Sequence, residues 1–101
     1  MSLTENVIAK LEGLAERQEE LTRLLSDPEI ANDRNQFIEL GREYSELEPL
    51  TSQYRRYQKL ISDLEDATAL SSDTDREIQA LAEDDIASLD VEIEHIGLSL
   101  I

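Results

Sequence analysis

Apolar side chains recur along this chain at alternating intervals of three and four, the period that places them on one face of an α-helix. Val7, Leu11, Leu14, Gln18, Leu21 and Leu25 follow at spacings of 4, 3, 4, 3 and 4, a heptad stripe with a single polar member. Ser2 with Glu5 reads as a capping box, the hydroxyl accepting an amide while the carboxylate reaches back. The pattern predicts a first helix over about residues 3–25. Ser26-Asp27-Pro28 ends it, because proline lacks an amide hydrogen and biases its predecessor away from helical angles. Pro28 is then free to open a short turn with Glu29 near its amino end.

A second stripe starts after Asn32 or Asp33, either of which can cap it, and contains Phe37, Leu40, Tyr44, Leu47, Leu50, Tyr54, Tyr57, Ile61 and Leu64. Tyr44, Leu47 and Leu50 are spaced by two consecutive threes, where Pro49 interrupts the alternation. The helix over about 33–69 is therefore expected to be kinked or broken near Pro49, and kinked rather than broken because no glycine or polar loop surrounds it. Unbroken, it would be about 55 Å long at ~1.5 Å per residue. Leu70 to Asp75 is the clearest linker, and Thr74 with Glu77 reads as a second capping box. Ile78, Ala82, Ile86, Leu89, Ile93 and Ile96 mark a third helix over about 74–97, fading near Gly97. Three long stripes with short connections predict an all-α fold, an antiparallel bundle of three long helices with coiled-coil-like packing, over a single domain of residues 1–101.

Composition limits what such a bundle can do. Twenty-four acidic against nine basic side chains give a formal charge of −15, so the averaged surface repels nucleic-acid phosphate and DNA is not an expected partner. The 40% of hydrophobic residues is modest, but their regular spacing argues for folding rather than disorder. With no cysteine there are no disulfides, thiolate metal sites or cysteine nucleophile. No apolar run approaches the ~20 residues that span a bilayer, and the amino terminus lacks the pattern of a secretory signal, so no membrane partner and a cytoplasmic location are expected.

Reaction chemistry finds no foothold. His95 is the only histidine, which removes a two-histidine zinc site and makes a surface position its simplest reading. There is neither a glycine-rich phosphate loop nor a GxSxG elbow. Asp73, Asp75 and Glu77 alternate like the first ligands of a calcium loop, but Ile78 stands where that loop needs glycine and Asp84 where it needs glutamate. Asp84 and Asp85 lack the enclosing cleft that separates acid and base roles. Glu12, Glu16, Glu19 and Glu20 read as a solvated face. No catalytic, cofactor-binding or metal-binding residue is therefore assigned.

Arg55, Arg56 and Lys59 are the exception to a bland surface, since they place a third of the chain's nine cations within five residues. Tyr54 and Tyr57 interleave with them, so the cluster is a candidate contact for RNA backbone or an acidic protein face. The simpler alternative has these cations neutralising carboxylates on neighbouring helices while both tyrosines pack inside.

The order of Ser26-Asp27-Pro28, the Phe37 to Leu40 face, Glu43-Tyr44, Leu47-Glu48-Pro49 and Tyr54 to Lys59 resembles the amino-terminal helical domain of the bacterial peptide chain release factor 1 family, class I release factors. The resemblance covers nearly the whole chain, and release factor 2 looks less similar around the proline turn. It implies a parent that recognises stop codons and promotes release of the nascent peptide on the ribosome. It also implies that this domain helps to position that parent near the protein and RNA of the ribosomal stalk base. The family's Gly-Gly-Gln tripeptide does not occur here, and its Pro-x-Thr type codon-reading tripeptide is not expected here either, so neither catalysis nor decoding is expected of these residues. An amino-terminal fragment of a longer factor is thus expected, without cofactor and open to self-association through its stripes. The competing reading is a freestanding coiled-coil interaction or dimerisation module.

Overall fold

The structure is a computed structural model that describes residues 3–101. It contains four α-helices, α1 (Glu5–Leu25), α2 (Pro28–Asn32), α3 (Arg34–Leu70) and α4 (Arg76–Ser99), and no strand among the described residues. The all-α expectation holds, with a short helix added where only a turn was expected. Asp27 caps α2 through the Glu29 amide, and Pro28 occupies its first turn, where a missing amide costs nothing.

Two compact units divide the described chain. In the unit Thr4–Ser52, α1 and the first half of α3 are joined through α2. Leu11, Gln18 and Leu21 of the α1 stripe are buried, and Val7, Leu14 and Leu25 are half-buried, so the heptad reading is the packed face. Arg17 lies about two turns before the end of α1 and Glu43 about two turns after the start of α3. Their contact therefore closes an antiparallel hairpin. Phe37, the first member of the second stripe, is 42% exposed.

The second unit comprises Gln53–Ile101 together with Leu3. Here residues 53–60 of α3 border residues 91–99 of α4, and residues 63–70 border 85–92. Numbering that runs in opposite directions makes this pair antiparallel as well. Tyr54, Tyr57, Leu60, Ala67, Ala82, Ile93 and Ile96 form its buried core, and the Tyr57 hydroxyl accepts the Leu3 amide at 3.2 Å.

Helix ends depart from expectation by a residue or two. The Ser2 part of the first capping box lies outside the described residues; α1 is instead capped by Thr4, whose hydroxyl accepts from the Val7 amide. Asp75 rather than Thr74 caps α4, since its carboxylate reaches the Glu77 amide at 2.8 Å and an ionised acceptor suits a helix amino terminus better than a hydroxyl. Asp33 caps α3 through Gln36, as read. Of the kink or break expected at Pro49, the break does not occur: helix α3 runs through Pro49. Pro49 and Ser45 are both exposed, so the Ser45 carbonyl that proline leaves without a donor has access to water.

Candidate contact surface

Residues 54–60 read buried, exposed, exposed, buried, exposed, exposed, buried, the signature of a helix face that meets its partner every three residues. Tyr54, Tyr57 and Leu60 take the inward positions, 3%, 5% and 3% exposed. Arg55, Arg56 and Lys59 consequently fall on the outside of α3. The aromatic half of the sequence cluster is therefore in the core, and no tyrosine beside these cations is placed to stack on a base.

The cations themselves meet carboxylates. Arg56 Nη2 donates to Glu92 Oε2 on α4 at 2.9 Å, and Lys59 Nζ to Asp63 Oδ1 one turn along α3 at 2.6 Å. Both side chains of the Arg56 pair are about half exposed, and Lys59 is more so. Exposed pairs of this kind are worth only ~0–1 kcal/mol, so a stronger anion could displace either carboxylate at small cost. The three residues are thus brought to one surface, with Arg56 neutralised from the neighbouring helix as the simpler alternative supposed and Lys59 by a carboxylate of its own helix.

A stronger ion pair lies in the unit Thr4–Ser52 and was not legible beforehand. Arg17 donates from Nε to Glu43 Oε2 at 2.6 Å and from Nη2 to Oε1 at 2.8 Å, while Nη1 reaches Glu20 Oε1 at 2.7 Å. The hydrogen bond from Arg17, and then its charge, hold the Glu43 carboxyl below the usual carboxylate range. The same hydrogen bond pushes the Arg17 guanidinium above its own. Near it Gln18, 1% exposed, donates to Glu48 and accepts from the Thr51 hydroxyl at 2.6 Å. The one polar member of the α1 stripe was the visible signal; its partners, 30 and 33 residues away, were not.

Asp73 and Asp75 spend their carboxylates on the Asp75 and Glu77 amides at the start of α4, as capping residues do. Among the described residues no group of three or more His, Asp or Glu is placed to hold a metal ion, and no helix is long and apolar enough to cross a membrane. Pro49-Leu50-Thr51 spells the family's Pro-x-Thr pattern, contrary to the reading that no codon-reading tripeptide falls here. It lies inside α3 with Thr51 1% exposed, whereas a triplet that reads bases must present its side chains to them.

Long amphipathic helices paired in hairpins, with a cationic patch on a chain of charge −15, define an all-α helical domain. Residues 14–100 match the PCRF domain, and the chain belongs to that family, the helical domain of class I release factors. No solved structure matches the chain. Membership gives a release-factor-type role in translation termination and, in general terms, an interaction with the ribosome.

Proposed function

We propose that this chain is the amino-terminal domain of a bacterial release factor 1, and that it positions the factor near the ribosomal stalk base while the parent recognises stop codons and releases the nascent peptide. The observation that carries the reading is the PCRF match over residues 14–100, joined to a surface that gathers Arg55, Arg56 and Lys59 on one side of α3. Those three residues are the proposed ribosome contact, with phosphate or an acidic protein face displacing Glu92 and Asp63. The domain itself carries no catalytic group and no cofactor, acts in the cytoplasm, and has no DNA or membrane partner. Residues 1–101, as a single helical domain in the amino-terminal part of a longer factor, contribute placement rather than hydrolysis.

Charge reversal in the Arg55→Glu/Arg56→Glu variant tests the contact. Ribosome binding should weaken while the helical circular dichroism persists; unchanged binding by a folded variant removes the contact. The 101-residue chain alone should release no peptide from a stop-codon ribosome complex, and codon-dependent release by it would overturn the assignment.

A further inference from the structure

Helix α4 carries a second stripe, on the side opposite its buried face. Leu81, Asp84, Ser88, Val91, His95 and Leu98 follow at spacings of 3, 4, 3, 4 and 3, the period of a coiled-coil seam, and all six are exposed. Leu81, Val91 and Leu98, at 66%, 69% and 61%, are the three most exposed large apolar side chains of the described helices. Of the seven carboxylates in α4 only Asp84 stands on this stripe, and the chain's one histidine stands there too. Neither Asp84 nor His95 makes a hydrogen bond or ion pair with another described residue.

The stripe is complementary to its own reverse. Two copies of α4 laid antiparallel, about a two-fold axis midway between Leu89 and Asp90, bring Leu81 against Leu98, Asp84 against His95 and Ser88 against Val91 of the other copy. The axis repeats each pairing, so the seam has leucine layers at both ends, an Asp–His layer inside each, and Ser–Val layers at the centre. A slip of one heptad in either direction parts Asp84 from His95 and leaves a leucine of each copy without a partner. A parallel pair in the same register would set Asp84 against Asp84. The charge of −15 on each copy opposes contact, as do Asp85 and Glu92 on one flank, although Arg56 already holds Glu92. On the other flank Ala80 and Ala87 leave room for two helices to approach closely.

We propose that this face of α4 binds a second copy of the chain, as an antiparallel two-fold pair whose register is set by two Asp84–His95 contacts. The leucines and valine supply the attraction, and the polar layers select the partner and its direction. The stripe that packs against α3 takes no part, and the pairing stands apart from the ribosome contact proposed above.

Sedimentation equilibrium of the 101-residue chain at pH 7, from micromolar to millimolar concentration, tests the pairing. A monomer–dimer equilibrium is expected, tightening with added salt as the charge of each copy is screened. His95→Glu opposes two carboxylates in both polar layers and should weaken dimerisation about tenfold or more. Asp84→Lys should weaken it about threefold or more, even though it lowers the net charge, because it removes the acceptor facing His95. Mixed in equal amounts, the two variants should pair within about twofold of the wild-type affinity, since each then meets its complement at both polar layers. Phe37→Ser/Ile38→Ser, which removes exposed apolar side chains from the other unit, should change the affinity less than about twofold. Circular dichroism checks helicity; if a charge variant loses it, Val91→Asp, which should abolish the dimer, decides in its place. A chain that stays monomeric at millimolar concentration overturns the proposal. So does dimerisation that Phe37→Ser/Ile38→Ser abolishes, that Val91→Asp leaves intact, or that folded charge variants fail to recover on mixing.

Discussion

Arg17 holds Glu43 through two parallel hydrogen bonds of 2.6 and 2.8 Å, tying α1 to α3 across 26 residues of sequence. Bidentate geometry distinguishes this pair from the single-contact pairs of Arg56 and Lys59. Because the folded-state pKa of Glu43 is depressed, its contribution is present above the unfolded glutamate value of about 4.3 and is lost as the pH falls through the lower folded value. Wild type should therefore be more stable than Glu43→Gln at pH 7, and the difference should vanish in acid. Urea unfolding of both proteins across that range checks the sign.

Gln18 and Thr51, each 1% exposed, form a polar contact in the α1–α3 seam beside the hydrogen bond from Gln18 to Glu48. Thr51→Val leaves the Gln18 carboxamide oxygen without this donor and should cost about 1–3 kcal/mol. Gln18→Leu/Thr51→Val removes both partners and should recover most of that loss. A double-mutant cycle in urea measures the coupling, and additive losses would mean that the two side chains do not interact.

Pro49 interrupts the hydrogen bonding of a helix that continues past it on both sides. Pro49→Ala restores the amide on an exposed face and should raise stability, by on the order of 3 kcal/mol if proline carries its usual helix-interior penalty.

Gly13 and Gly41 lie within α1 and α3 with nothing inside 4 Å of an added Cβ. Replacing each with alanine should add about 0.5–1 kcal/mol, read as a higher urea midpoint with an unchanged slope.

What the sequence made legible follows the range of each signal. The apolar stripes report single-helix faces, so Leu11, Leu21, Tyr54, Tyr57, Ile93 and Ile96 were found where the period put them. Caps slipped because Thr4 and Asp75 stand beside other residues able to do the same work, and local spacing does not choose between an acid and a hydroxyl. Phe37 obeys the helical period yet stays exposed, since periodicity marks a face without saying whether anything covers it. Of the contact surface, the sequence showed that Arg55, Arg56 and Lys59 cluster, but the burial of both tyrosines and the Arg56–Glu92 pair depend on how α4 lies against α3. The Arg17–Glu43 clamp arises between helices and leaves no trace in either one alone.

Codon-dependent peptide release by the protein of the complete reading frame, assayed at limiting concentration with and without residues 1–101, tests the central claim most directly. The account expects stop-codon-dependent release from the whole protein, and a slower rate that rises again with factor concentration when this domain is deleted. Release that is absent from the whole protein, or indifferent to the loss of this domain, would contradict it.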